Sequence, residues 1–251
     1  MLRVEREFAH LRGDLILRHG FPVENTELRD AIVSLRGILA ETRFRLAARG
    51  GTPKAQARTI GRTNALQMFP ISQTRINAAL RDSLRVERGW SNEPFALEDQ
   101  HGVPILRLKG DFTKRRVLVE VEFGNVASLY RDLTKFHLAG LARAFDVGVL
   151  IVPMARTAYF TDQGIATFET IERMARYLPS VVALPLLVLG VEPSDWDAVA
   201  AHYVRMVRVV QDNRPGVPIH DFEVALAASR QPIVMEEVED AENAEGEPDL
   251  G

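Results

Sequence analysis

The chain has 251 residues, of which 46% are hydrophobic and 26% are charged, a composition typical of a soluble globular protein. Cysteine is absent, which excludes disulfides, thiolate metal sites and cysteine nucleophiles. The first residues are charged rather than apolar, and no apolar run is long enough to span a membrane. These features predict a cytoplasmic protein with no membrane partner.

Charge is unevenly distributed along the chain. Residues 236–251 contain eight acidic residues and no basic residue, which predicts a solvated, disordered tail. The remaining residues, 1–235, carry 31 basic and 26 acidic side chains, a net charge near +5 that is compatible with a polyanionic partner. We expect residues 1–235 to form a single domain, with a helical N-terminal part over about 1–95 and an α/β core over about 96–235.

The N-terminal third is predicted to be mainly helical. Residues 1–48 are interpreted as helical, with Asn25 or Thr26 as an N-cap, because apolar residues recur near helical spacing. Residues 49–67 are rich in glycine and in Lys and Arg, which predicts a flexible basic loop. This loop is either simply solvated or an arm that contacts phosphates through Arg58 and Arg62. A second helix is predicted from Ser72 to about Val86.

The remainder alternates between strand and helix patterns. "VPILRLKGDF" and "RVLVEVEF" predict a hairpin, and "VASLYRDLTKFHLAGLARAF" an amphipathic helix. Its inner side is expected to carry Leu129, Leu133, Phe136, Gly140, Leu141 and Ala144. "DVGVLIVP" and "VALPLLVLG" read as buried strands, and each is followed by a helix, one capped by Thr161 or Asp162 and one opening at Ser194. The sum predicts an α/β fold with a central mixed β-sheet flanked by helices.

One predicted strand of this sheet carries an acidic face. In "RVLVEVEF" the valines and Phe123 alternate with Leu118, Glu120 and Glu122, so both glutamates lie on one face, roughly 7 Å apart at their bases. If Lys114 and Arg115 form the hairpin loop, Asp111 lies opposite Leu118 and joins the same face.

Three carboxylates on one patch repel each other and raise one another's pKa unless a cation neutralises them. Oxygen ligands in a chain without cysteine favour Mg²⁺ over zinc. The alternative is a hairpin with a solvent-facing polar side, in which the carboxylates contact only water or nearby basic residues. The following crossover helix and buried strand favour a central position for the acidic strand, where an unneutralised cluster would be costly.

The run "GDF…VLVEVEFGN…YRDLTKFHLAGL…DVGVLIVP", over about residues 103–163, resembles the catalytic core of the BglII/BamHI-type restriction endonucleases, in the PD-(D/E)xK nuclease superfamily. In that superfamily the third acidic-motif position is usually lysine, whereas BamHI-like members carry glutamate and BglII-like members glutamine. Here the position is Glu122. Gly110 stands where a proline usually precedes the aspartate.

The resemblance implies a type II restriction endonuclease, a homodimer that cleaves double-stranded DNA at a short palindrome with Mg²⁺. Asp111, Glu120 and the carbonyl of Val121 would bind the metal, and Glu122 would orient or deprotonate the attacking water. A DNA methyltransferase would accompany the enzyme in the same system, with no direct contact implied.

The resemblance also implies DNA-reading residues at the same edge of the sheet. Asn125 follows the acidic strand and would pair with adenine, although it is equally suited to cap the next helix. Arg156 would read guanine or clamp a phosphate, and Thr157 would contact a thymine methyl group or a phosphate. Two other functions remain open: a repair or structure-selective nuclease of the same superfamily, and a non-catalytic DNA-binding protein of the same fold.

Truncation after Met235 tests the acidic tail. Specific cleavage should remain intact, and affinity for non-specific DNA at low salt should rise modestly, because eight negative charges near a polyanion repel it. Gel-shift titrations of the full-length and truncated proteins at two salt concentrations measure the effect. Loss of folding or of specificity on truncation would show that the tail is structural.

Overall fold

The computed structural model describes residues 1–40, 57–60, 65–92, 94–98, 101, 103–124, 126–162, 164–174, 177, 182–213, 215–216 and 218–228. The predicted acidic tail lies outside the described residues. The strands of the described part are β1 (Leu2–His10), β2 (Ala57–Ile60), β3 (Ala65–Met68), β4 (Pro94–Glu98), β5 (Pro104–Lys109), β6 (Phe112–Lys114), β7 (Val117–Val121), β8 (Val147–Pro153) and β9 (Leu186–Pro193). Its helices are α1 (Gly13–Gly20), α2 (Pro22–Ser34), α3 (Gln73–Arg81), α4 (Val126–Leu141), α5 (Ala155–Tyr159), α6 (Phe168–Met174), α7 (Trp196–Asn213) and α8 (Phe222–Ala228). Within this part of the chain no helix is long and apolar enough to cross a membrane.

The central sheet has five strands in the order β1-β9-β8-β7-β6. β7, β8 and β9 are parallel, and the two edge strands, β1 and β6, run antiparallel to their neighbours. Helices connect the parallel strands: α4 lies between β7 and β8, and α5 and α6 lie between β8 and β9. The predicted fold class, an α/β fold with a mixed sheet and flanking helices, is confirmed.

Side chains of the parallel strands alternate between two apolar cores. Odd-numbered residues of β7, β8 and β9, such as Val119 and Val149, pack in one core with residues of α2, α3, α7 and α8. Even-numbered residues, such as Leu118 and Leu150, pack in a second core with residues of α4 and α6. Every side chain of β8 is buried, as its continuous apolar sequence predicts. The even-numbered face of β7 therefore meets α4, and this is the face that carries Glu120.

The first ten residues differ from the predicted helix. They form β1, which pairs antiparallel with β9 along its whole length. An irregularity in the pairing between Val4 and Arg6 reverses the facing of the strand: Leu2 and Val4 pack in the first core and Phe8 in the second. Pairing with β9 covers one edge of the sheet, which outweighs the helical tendency of this charged segment.

Other predicted boundaries also shift. The first predicted helix is divided into α1 and α2, and α2 begins at Pro22, so Asn25 and Thr26 lie inside it rather than at its N-cap. Ser72 caps α3 as predicted, accepting a hydrogen bond from the backbone N–H of Arg75. The prediction of a loop over 49–67 is wrong for β2 and β3, which form a hairpin.

The downstream helices begin later than predicted. α6 starts after Thr167, whose hydroxyl accepts from the Thr170 N–H, so Thr161 and Asp162 do not cap it. α7 starts at Trp196, and Asp195 rather than Ser194 accepts a hydrogen bond from its first turn. On α4 the inner stripe includes Leu129, Leu133 and Phe136 as predicted, but Leu141 is exposed.

The two glycines at the ends of α1 provide a matched test of this packing. A Cβ on Gly13 would lie 2.4 Å from the backbone carbonyl carbon of Leu186 on β9, whereas a Cβ on Gly20 would meet nothing within 4 Å. We expect Gly13→Ala to lower the free energy of unfolding by about 2 kcal/mol, because β9 cannot move without disturbing the sheet. Gly20→Ala should be neutral or stabilise by about 0.5 kcal/mol. Urea unfolding of both variants measures the difference, and equal stabilities would contradict the close contact between α1 and β9.

Candidate active site

The β6–β7 hairpin differs in register from the prediction but keeps the predicted face. Phe112 pairs with Val119 and Lys114 with Val117, so Arg115 and Arg116 form the turn. The shift from the predicted register is two residues, which preserves the facing of every side chain. Continued by one residue, this register places Asp111 opposite Glu120. The prediction that β5 belongs to this hairpin is wrong, because β5 pairs with β4 in a separate two-stranded sheet.

Asp111 is fixed at the start of β6 from two sides. Its Oδ2 accepts a hydrogen bond of 2.9 Å from the backbone N–H of Val121. This side-chain oxygen therefore satisfies a backbone donor of β7 that lies beyond the pairing with β6. Its carbonyl oxygen accepts from Arg85, 2.8 Å away, whose guanidinium also lies over the ring of Phe112. Arg85 belongs to a π-helical turn, Asp82–Val86, that extends α3. Asp111 is therefore anchored by α3 and β7 together.

Glu120 lies on β7, next to the edge strand β6, and is buried, with 1% of its surface exposed. Its Oε2 accepts a hydrogen bond of 2.9 Å from Lys135 of α4, while its Oε1 is buried and makes no hydrogen bond. A Cβ on Gly110 would lie 3.5 Å from this Oε1 and 2.3 Å from a methyl group of Leu118. Oε1 thus points toward the segment that carries Asp111, and glycine at position 110 leaves room for Leu118.

α4 contributes three charged residues that the sequence reasoning missed. Lys135 Nζ lies 3.0 Å from Oδ1 of Asp132, in addition to its contact with Glu120. Asp132 is buried, and Arg131 approaches it to 3.5 Å from an exposed position. The available signal was the place of Asp132 on the inner stripe of α4, next to Leu129 and Leu133. A charged residue on the apolar side of a helix needs a partner.

Glu122 lies just beyond the end of β7. Its backbone N–H donates to the carbonyl of Ile151 and extends the ladder with β8. Its carboxylate Oε1 accepts a short hydrogen bond from the backbone N–H of Gly124, and Oε2 lies 3.9 Å from Arg131. The side chain is buried at the turn that leads into α4.

Burial controls the protonation of this cluster. It raises the pKa of Glu120 to about 8, an effect that Lys135 opposes and that Asp111 and Asp132 reinforce. Burial likewise raises the pKa of Glu122 to about 7, against the Gly124 N–H and Arg131 and with the help of Asp132. Burial lowers the pKa of Lys135, but Glu120 and Asp132 outweigh it and the pKa is raised. Without a further cation, the site therefore retains protons near neutral pH.

The carboxylates provide oxygen ligands suited to a cation, but in this structure they do not converge on one point. Among the residues that the structure describes, no three acidic or histidine side chains are arranged to hold a metal ion. Asp111 is bonded to the Val121 N–H, Glu120 to Lys135, and Glu122 to the Gly124 N–H. The donors are nevertheless oxygen atoms suited to Mg²⁺, and the buried Glu120 Oε1 lacks the positive partner that a carboxylate oxygen requires.

The predicted DNA-contacting residues are more scattered. Asn125 and Arg62 lie outside the described residues, and Arg58 lies on β2. Arg156, on α5, places its guanidinium 3.7 Å from the centre of the Trp196 ring. Thr157 is completely buried, so its side chain does not reach the surface in this conformation. Its backbone carbonyl accepts a hydrogen bond from the hydroxyl group of Thr161.

A family model described as restriction endonuclease BglII/BglIII matches residues 6–191. The matched range includes β6, β7 and β8 and the carboxylates of Asp111, Glu120 and Glu122. The chain belongs to this family of restriction endonucleases. Membership confirms the predicted function class, a type II restriction endonuclease, and the predicted enzyme class, a site-specific deoxyribonuclease. No curated protein matches the chain significantly.

Two solved structures are similar to the enzyme. One is the crystal structure of restriction endonuclease BglII complexed with a DNA 16-mer. It is 18% identical, covers 76% of this chain and 75% of that chain, and has a TM-score of 0.48. The other is the crystal structure of free BglII, 16% identical over 76% of this chain and 78% of that chain, with a TM-score of 0.44.

The raised pKa of Glu120 predicts how stability depends on pH. Because the folded pKa of about 8 lies above the unfolded value of 4.5, Glu120 contributes its full stability below pH 4.5. That contribution is lost as the pH rises through about 8. In Glu120→Gln, which cannot ionise, this loss is absent, so the variant should gain about 1 kcal/mol or more relative to wild type between pH 5 and pH 8.5.

Urea unfolding across this pH range in the presence of EDTA measures the effect. Glu223→Gln, on the exposed side of α8, serves as the control and should follow the wild-type profile. Parallel profiles for wild type and Glu120→Gln would contradict the burial of an ionisable Glu120.

Proposed function

We propose that the enzyme hydrolyses phosphodiester bonds of double-stranded DNA with Mg²⁺, at a short palindrome and as a homodimer. The observation that carries this proposal is the buried carboxylate of Glu120, with an unbonded Oε1 directed toward the Asp111 segment. A buried carboxylate destabilises the fold unless a cation or a proton neutralises it. Restriction endonucleases are generally metal-dependent, and the family match includes this strand.

Asp111 and Glu120 would hold the metal, together with the carbonyl oxygen of Val121. When bound, Mg²⁺ supplies positive charge at the scissile phosphate and acidity at an adjacent water. Glu122, whose pKa is raised to about 7 by burial, is suited to accept a proton from the attacking water near neutral pH. Its short contact with the Gly124 N–H fixes the direction of the remaining oxygen.

Positively charged side chains also lie next to Asp111. A small cavity of about 80 Å³ is lined by Asn77, Arg81, Arg85, Asp111 and Val121, among others. Asn77, Arg81 and Arg85 are spaced four residues apart along α3 and its π-helical extension. Arginine side chains beside a carboxylate that binds metal are suited to a DNA phosphate, because guanidinium donates to two phosphate oxygens at once.

Asn125 and Arg156 would contact DNA bases. Asn125 follows the carboxylate strand, and Arg156 follows β8, whose end is next to that of β7. The N–H of Ala155 donates to Glu169 at 2.8 Å, which ties the start of α5 to α6 and fixes the helix that carries Arg156. To reach guanine, Arg156 would leave the Trp196 ring. Arg58 and Arg62 would contact phosphates.

The wider setting of the enzyme follows from its class. A palindromic site requires a two-fold symmetric protein, and therefore a homodimer. Host DNA would be protected by a cognate methyltransferase in the same system, without direct contact. Both proteins would act in the cytoplasm, where the DNA is.

Digestion of plasmid DNA with the purified full-length protein tests the function. With Mg²⁺ we expect discrete fragments that reproduce the same fragment ends on every plasmid. A smear of products would instead indicate a nuclease without sequence specificity, and specific binding without cutting would indicate a DNA-binding protein.

Substitutions of the carboxylates test the site. Asp111→Asn and Glu120→Gln should each lower the single-turnover cleavage rate by about three orders of magnitude while retaining DNA binding, because each removes a charge from the metal face. Glu122→Gln should lose only about tenfold, since an amide oxygen still orients water. Glu223→Gln is the control and should cleave at the wild-type rate. Near wild-type cleavage by Asp111→Asn or Glu120→Gln would disprove the site.

A further inference from the structure

Lys135 contacts Glu120 through Oε2, whereas the unbonded Oε1 is the oxygen directed toward the Asp111 segment. Its Nζ lies 2.9 Å from Oε2 of Glu120 and 3.0 Å from Oδ1 of Asp132, and only 13% of its side chain is exposed. We propose that Lys135 is a positioning residue that holds Glu120 in place in the metal-free protein and moves entirely onto Asp132 when Mg²⁺ binds. This inference rests on the proposed Mg²⁺-dependent function.

The geometry of α4 gives Lys135 two carboxylates at nearly equal distance. Asp132 lies three residues before Lys135 on the same helix, so this contact does not depend on the position of β7. Glu120 belongs to the sheet, and its contact with Lys135 joins helix to strand. Release of Glu120 therefore leaves Lys135 paired with a buried Asp132, and the lysine charge is not stranded.

The neighbouring cation cannot take over this role in the same way. Arg131 reaches Glu122 and Asp132 at 3.9 Å and 3.5 Å, and 64% of its side chain is exposed. Its contacts are therefore long and largely screened by solvent. Lys135 makes short contacts in a buried setting, where the attraction between opposite charges is strongest.

Competition between Lys135 and Mg²⁺ has a measurable consequence. The free energy of metal binding contains the cost of breaking the contact between Lys135 and Glu120. Removal of the lysine charge should strengthen metal binding, and removal of the second acceptor, Asp132, should weaken it, because Lys135 then has Glu120 alone. A lysine that acts only through packing would leave the metal affinity of Lys135→Met at the wild-type value.

Calorimetric titration of MgCl₂ into the DNA-free, full-length protein tests the proposal. Lys135→Met keeps the length of the side chain and should bind Mg²⁺ about tenfold more tightly than wild type, which corresponds to one hydrogen bond to a charged group. Asp132→Asn should bind severalfold more weakly. Lys135→Arg retains the charge and should remain within about threefold of wild type.

Equal or weaker Mg²⁺ binding by Lys135→Met would overturn the inference, and so would the absence of binding in both wild type and Lys135→Met. Thermal melts establish that each variant is folded, and the Lys135→Met result decides even if Asp132→Asn does not fold. Wild-type cleavage of DNA separates this proposal from the proposed function. If wild type cleaves with Mg²⁺ and Lys135→Met does not bind the ion more tightly, only the role of Lys135 is wrong.

Discussion

The candidate active site depends on the burial of one carboxylate, that of Glu120, between the sheet and α4. Glu120 is almost completely covered because β7 lies between β6 and β8 and because α4 packs across its even-numbered face. Such a group is tolerated only when a positive charge or a proton accompanies it. In the free protein both are present: Lys135 contacts one oxygen, and burial raises the pKa of the acid to about 8. The neighbouring residues Lys135, Asp111 and Asp132 all act on the charge of Glu120.

The contacts that hold the carboxylates come from elements that are far apart in the sequence. Asp111 is held by Arg85 from the extension of α3 and by the N–H of Val121 on β7. Glu122 is turned by Gly124, at the position where β7 leads into α4. Large apolar cores on both faces of the sheet supply the stability that permits a destabilising cluster beside β7. Asp111 and Glu122 are therefore held by backbone groups, whereas Glu120 is held by Lys135, which also contacts Asp132.

Several of these features could be predicted from sequence because they depend on local periodicity. Alternation in "RVLVEVEF" correctly placed Glu120 on one face of a strand, and the apolar run around Val149 correctly indicated a fully buried strand. The hairpin register was wrong by two residues because Arg115 adopts a left-handed conformation, with φ of 51°, without the glycine or asparagine that usually marks such turns. β1 was missed because an irregularity near Glu5 interrupts its alternation.

Long-range pairing was beyond the reach of local patterns. The sequence places Lys135 fifteen positions after Glu120, and only the packing of α4 on β7 brings them together. The burial of Thr157 was missed for the same reason, because its exposure depends on how α5 packs against the end of the sheet. By contrast, the polar residue Asp132 in an apolar stripe was a usable signal that a charged partner lay opposite.

The most direct test of the account is the location of the metal. Anomalous diffraction from crystals of the enzyme with cognate duplex DNA and Mn²⁺ identifies the ion without reference to activity. We expect a peak between the carboxylates of Asp111 and Glu120, next to a DNA phosphate. A peak at another set of side chains, or none near Glu120 with the duplex bound, would contradict it.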